Sequence, residues 1–254
     1  MKRLIYLFAL IAALGMTSCN DDDGYSLDDV VITAATYHQT DGYFYLVNDD
    51  GQSLWPAAGI GYYPGFEDGD RVTVNYTPLG KDPDGVYDLY VRLNAMDEML
   101  TKDMVQFDET TTQNVRDSIG YDPIYIDNAW IVDDYLTVVF EFPATYAISM
   151  VNIVDDKTLD KTEDGATILE LNLNSFDAPY IGYTGWGVAS FNILKLRDEA
   201  DGASSINIAL RSRDDNGEYV NYSSNITYYF GDKEPRKNTI SLNKFETSKE
   251  ANLK

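Results

Sequence analysis

Apolar and polar residues alternate along most of this chain with a period of two. Val72, Val74 and Tyr76 alternate with Thr73 and Asn75, and Tyr87, Leu89, Val91 and Leu93 alternate with Asp88, Tyr90 and Arg92. Alternation of this kind puts the apolar set on one face of a half-buried strand. Leu136, Val138, Phe140 and Phe142 share a face in the same way, as do Leu169, Leu171 and Leu173, then Ile206, Ile208 and Leu210, then Ile226, Tyr228 and Phe230. No stretch keeps a helical period for three turns. Asp41-Gly42, Asp50-Gly51, Asp84-Gly85 and Asn216-Gly217 fall between alternating segments, where residues tolerant of positive φ close hairpins. The pattern predicts an all-β chain of antiparallel topology.

Strand spacing divides the chain. Residues 30–108 offer five or six strands and a Pro/Gly-rich loop from Pro56 to Asp70, a count that fits a small closed or partly closed barrel. Residues 122–231 offer seven or so strands with turn signals between them, the spacing of a two-sheet sandwich. Between them, 109–121 is rich in Thr, Gln, Asn and Asp and is expected to be a polar linker separating two domains. The tail 232–254 carries six basic residues against four acids, the reverse of the body, and is expected to be a solvated terminus.

The N-terminus changes the picture from fold to address. Lys2 and Arg3 precede an apolar run from Leu4 to Leu14, followed by Met16-Thr17-Ser18-Cys19. A basic n-region, a short apolar core and a small residue before the processing point make a secretory signal over residues 1–18. The apolar run falls well short of the roughly 20 residues a spanning helix needs. Cys19 is the one cysteine in the chain, so no internal disulfide can use it, and its position makes it the lipid-attachment residue, with an acidic tether over 19–29. The chain would thus meet the membrane through an N-terminal lipid anchor.

Charge narrows the partners. The formal charge is −23, and loss of Lys2 and Arg3 with the signal leaves 17 basic residues against 42 acidic ones, or −25. Nucleic-acid affinity comes largely from Lys and Arg neutralising phosphates, so no nucleic acid is expected to bind. Hydrophobic content of 44% and aromatic content of 13% rule against disorder as the source of this acidity.

Several segments resemble the NigD-like lipoproteins of Bacteroidetes: Cys19-Asn20-Asp21-Asp22-Asp23-Gly24-Tyr25-Ser26-Leu27, Ser53-Leu54-Trp55-Pro56-Ala57-Ala58, Val74-Asn75-Tyr76-Thr77, Leu100-Thr101-Lys102-Asp103, Asp117-Ser118-Ile119-Gly120-Tyr121-Asp122-Pro123 and Gly187-Val188-Ala189-Ser190-Phe191. The resemblance covers nearly the whole chain. It implies an N-terminal OB-like barrel joined to a C-terminal β-sandwich, and a place in the cell envelope. It implies bacteriocin immunity only by association with a bacteriocin locus, and it brings no catalytic residues. The acidic run after Cys19 resembles a Bacteroidetes signal for display on the cell surface. An outer-membrane, surface-exposed protein is therefore expected, with a periplasm-facing one as the alternative. Asp117-Ser118-Ile119 resembles the O-glycosylation triplet of the same phylum, which makes Ser118 a candidate acceptor.

Chemistry-bearing residues are few where they would need to be specific. His38 is the single histidine, so a Ser-His-Asp triad or a Cys/His zinc site has almost nothing to build on. Carboxylate pairs could hydrolyse glycosides, yet 42 acids make any pair arbitrary. Asp82-Pro83-Asp84-Gly85 begins like a calcium loop, but Val86 and Leu93 stand where an EF-hand places ligands, so turn chemistry is the better account and an irregular calcium site stays open. No cofactor is expected. Trp55 and Trp130 read as core residues. The aromatics of two Gly-rich stretches, Tyr62, Tyr63 and Phe66 in one and Tyr183 and Trp186 in the other, read as loop-borne ligand contacts. The expected function is a non-catalytic, lipid-anchored protein that binds a protein, or acts as an immunity module. A surface glycan-binding accessory protein is the second reading, and a carboxylate-dependent glycoside hydrolase the third.

Overall fold

A computed structural model describes residues 29–40, 42–59 and 65–230. The signal, Cys19, Tyr62, Tyr63 and the tail 232–254 lie outside the described residues. Five strands, β1 (Val31–Thr40), β2 (Tyr43–Asn48), β3 (Ser53–Gly59), β4 (Arg71–Lys81) and β5 (Leu89–Glu98), close into a barrel in the order β1-β2-β3-β5-β4. The alternating residues fill it: Val72, Val74, Tyr76, Val91 and Leu93 are buried together with Leu46 and Leu54. Burying each such side chain contributes about 1.5–3 kcal/mol. At Asp50-Gly51 the glycine takes φ 81° and its N–H donates to the Asn48 carbonyl at 2.8 Å, which closes the β2–β3 turn.

The sandwich has a five-stranded sheet, β14-β13-β11-β10-β7, packed on a four-stranded sheet, β6-β12-β9-β8. Its strands are β6 (Leu100–Asp103), β7 (Val105–Phe107), β8 (Tyr125–Val132), β9 (Tyr135–Thr145), β10 (Met150–Asp156), β11 (Thr167–Asn174), β12 (Tyr180–Asn192), β13 (Ser205–Arg213) and β14 (Tyr219–Tyr229). Leu136, Val138 and Phe140 on one inner face meet Ile153, Leu169, Leu171, Leu173, Ile208 and Leu210 on the other. An OB-like barrel followed by a β-sandwich is thus the architecture.

Four expectations need correction. The barrel ends near Glu98, not at 108: β6 pairs parallel with β12 and β7 parallel with β10, so residues 100–107 form one edge strand of each sandwich sheet. Their alternation is too short to tell which domain they join. Residues 109–121 are not an interdomain linker. They hold a helix, α1 (Gln113–Ile119), tied to the sandwich by the Arg116–Asp156 ion pair, by Arg116 stacked 4.7 Å from the Phe107 ring, and by Asn174 donating to the Ser118 carbonyl at 2.9 Å. Pairing is not wholly antiparallel, because β3–β5 and β11–β13 are also parallel, and partner choice leaves no mark on a period of two. Finally, the Gly-rich segment 180–186 is strand β12 rather than loop. A Cβ on Gly187 would sit 2.8 Å from the Phe140 ring and one on Gly185 3.0 Å from the Phe142 ring; these glycines make room for phenyl groups in the core.

Candidate functional site

The strand directions bring four chain segments to one end of the sandwich. Met150 pairs with Asn174, Tyr180 with Thr145 and Tyr125 with Glu141, while the Ile124 N–H donates to the Arg213 carbonyl at 3.0 Å. The β9–β10 loop (146–149), the β11–β12 loop (175–179), the β13–β14 loop (214–218) and the approach to β8 (120–124) therefore cluster there. Tyr146 and Ile148 are 89% and 90% exposed at the tip of the first loop, and Phe176, Tyr180 and Tyr183 are exposed beside it. Phe176 and Asp177 both have φ of 56°, a left-handed conformation uncommon for residues other than glycine. The Phe176 N–H donates to the Asn174 side chain at 2.8 Å, which fixes the turn that turns the ring outward.

Between these segments lies a cleft of about 520 Å³ lined by Tyr125, Phe142 and Tyr180 and by Asp122, Glu141 and Asp215. The Asp122 carboxylate accepts from the Ser175 N–H at 2.6 Å and from its hydroxyl at 2.5 Å, which fixes the cleft floor. The Tyr125 hydroxyl accepts from the Asp215 N–H at 3.1 Å. Burial, then its hydrogen bond to the Asp215 carboxylate, raises the Tyr125 pKa. Glu141 is exposed and stands in register between Tyr125 on β8 and Trp186 on β12.

The residues expected from sequence are not brought to one place. Tyr183 and Trp186 are exposed on β12 near this cleft, whereas Phe66 is half-buried, with its ring 5.7 Å from Tyr37, and packs against the barrel core rather than standing out as an exposed contact. Ser118 is exposed on α1 with its hydroxyl donating to the Val115 carbonyl. His38 stacks 5.0 Å from Tyr45 with Nδ1 3.3 Å from Asp68. Asp82, at the candidate calcium loop, spends its carboxylate on the N–H groups of Asp84, Val86 and Tyr87. Among the described residues no group of three His, Cys, Asp or Glu could hold a metal ion.

Two arrangements went unread in the sequence. On the outside of the barrel His38, Tyr45, Tyr87, Trp55 and Tyr43 form a ladder of rings with successive centroids 5.0, 5.5, 4.9 and 5.4 Å apart. Trp55 is therefore a half-buried surface residue and not core; it stacks on Tyr87 and meets Tyr43 edge-on, contacts of the kind that cross-strand aromatic pairs make. Trp130 is not core either. Its indole N–H donates to Asp49 of the barrel at 2.6 Å, and Asp49 holds Arg71 in a bidentate pair at 2.6 and 2.7 Å. Arg71, 2% exposed, also donates to Thr137 at 3.2 Å and Ser190 at 3.4 Å on the sandwich. One buried cation thus joins the two domains.

Comparison with known proteins agrees with this architecture. Residues 33–99 match the NigD-like N-terminal OB domain and residues 104–224 the NigD-like C-terminal beta sandwich domain. A protein of unknown function from Bacteroides vulgatus is 26% identical, with a TM-score of 0.64 over 87% of this chain and 99% of its own. A toxin-related protein from Parabacteroides distasonis is 26% identical, with a TM-score of 0.61 over 79% and 94%. A NigD-like immunity protein from Bacteroides caccae, 18% identical, shares the fold with a TM-score of 0.58 over 82% and 100%. No curated protein matches the chain.

Proposed function

The chain belongs to the NigD-like family, and from that premise we propose that it is a non-catalytic, lipid-anchored envelope protein that binds a protein partner through the open end of its sandwich, in an immunity-like role. The observation that carries this reading is the exposure of Tyr146 and Ile148, about nine-tenths in both cases, beside Phe176, Tyr180 and an aromatic cleft. Contiguous apolar surface on a soluble domain marks an interaction site, and aromatic side chains over a cleft are the common anchors of protein interfaces. Cys19 after its short apolar run supports the anchor, and the acidic run that follows supports display on the outer surface. His38 is stacked on Tyr45 with Nδ1 beside Asp68, and its ring face is thereby used within the barrel wall, which supports binding over catalysis.

A photo-crosslinking residue at Ile148 of the full-length protein in its native cells should give a discrete protein adduct, whereas one at Glu98 on the barrel should give none. Equal adducts at both positions, or none at either, would overturn the reading. A second reading, a glycan-binding accessory lipoprotein, is favoured by the exposed rings of Tyr183 and Trp186 on β12. It requires retardation of the protein in polysaccharide gels that Tyr183→Ala and Trp186→Ala abolish. Ser118, exposed on α1, is offered as an O-glycosylation acceptor; an intact mass equal to that of the lipidated polypeptide, from native cells, would refute it.

A further inference from the structure

The cleft at the sandwich end carries charge of one sign. Among the described residues Asp122, Glu141 and Asp215 line it, and no basic residue does. Asp122 already serves Ser175 and Asp215 faces Tyr125, while Glu141 stands exposed between Tyr125 and Trp186. Tyr125, Phe142 and Tyr180 supply aromatic wall, and Pro123, Pro143, Leu173 and Ala178 supply aliphatic wall beside them. Carboxylates beside aromatic rings hold a cation twice over, by opposite charge and by the negative faces of the rings. A cation on an alkyl stem fits best, since the stem lies along apolar wall while the head reaches the acids. The size, about 520 Å³, lies within the range of pockets that enclose a side chain or small ligand. An anionic ligand would meet three carboxylates on a chain of net charge −23.

We propose that this cleft receives a lysine or arginine side chain of a basic polypeptide, whose apolar residues pack on Tyr146 and Ile148. The proposal rests on the protein-binding reading above and gives its partner a charge. The probes are an alternating Leu/Lys peptide and its Leu/Gln counterpart, titrated against the full-length chain in neutral detergent. The Leu/Lys peptide should bind at least tenfold more tightly, with an advantage that shrinks at high salt. Glu141→Gln with Asp215→Asn should remove that advantage, about tenfold in affinity, without changing Leu/Gln binding, whereas Asp97→Asn with Glu98→Gln on the barrel should leave both unchanged. Equal loss from both pairs of substitutions would mean adsorption to overall charge and would overturn the proposal. Equal binding of the two peptides, lowered by Tyr146→Ser with Ile148→Ser, would overturn the cation site and keep the docking surface. Binding of neither peptide, or binding indifferent to those two serine substitutions, would overturn the docking reading as well.

Discussion

Arg71 is the single residue on which most of the interdomain chemistry converges. Its partner Asp49 is only 9% exposed in its side chain, so removing the guanidinium leaves that carboxylate with the Trp130 indole N–H and no countercharge. Breaking such a buried pair from one side costs about 3–5 kcal/mol. Arg71→Met should lower the unfolding free energy by that amount in denaturant melts, and Arg71→Met with Asp49→Asn should cost less than the single change. Other residues make the fold acid-labile. Backbone N–H groups, that of Tyr87 first, hold Asp82 below the usual carboxylate range; Ser53 does this for Asp88, Thr110 for Asp108 and the Glu218 N–H for Asp214. Depressed folded-state values stabilise above the unfolded pKa of about 4 and are lost as pH falls below it. The melting temperature should therefore drop as pH falls through 4 toward 2, and Asp82→Asn should flatten that slope. Asp50, raised by burial and by Asp49, acts in the opposite sense. These roles are hidden from sequence because composition says only that Asp and Trp are present. Trp130 looked like core by the burial habit of indoles, yet its N–H needed an acceptor, and that acceptor is 81 positions away on another domain.

Elements were the most legible level, and β12 marks the limit. Period two located the strands around Val72, Leu89, Leu136, Leu169 and Ile206 because a half-exposed sheet writes its two faces alternately into the chain. In Gly182–Gly187 the inward positions are glycines, so the apolar mark that would reveal a strand is carried by Phe140 and Phe142 on its neighbour. Gly187→Ala should destabilise the sandwich by about 1–3 kcal/mol through overpacking, and Phe140→Leu in the same chain should recover part of the loss. A melt in which Gly187→Ala is neutral would mean that the ring can move aside. Helix α1, seven residues without a side-chain N-cap, is too short to persist alone. Arg116→Ala should therefore speed amide exchange across 113–119 while leaving the barrel unchanged.

At the scale of the whole molecule, the barrel-then-sandwich order was readable from strand counts and turn spacing, but the junction was not, since it depends on which strands 100–103 and 105–107 join. The proposed location rests on the reading of residues 1–18 as a secretory signal and of the acidic run after Cys19 as a display signal. Protease added to intact cells should cleave the chain while a periplasmic control survives, as surface display requires. The junction also sets a timetable. Residues 31–98 contain every strand of the barrel, so a chain emerging N-terminus first can close it early. β6 follows directly but pairs with residues 189–192, and β7 with 154–156, so both strands wait for chain not yet delivered. Asp49 reaches Arg71 in the first phase, Thr137 arrives midway, and Ser190 arrives with the partner of β6. Closure of the joint is thereby expected late, after β8 to β12 and with only β13 and β14 still to follow.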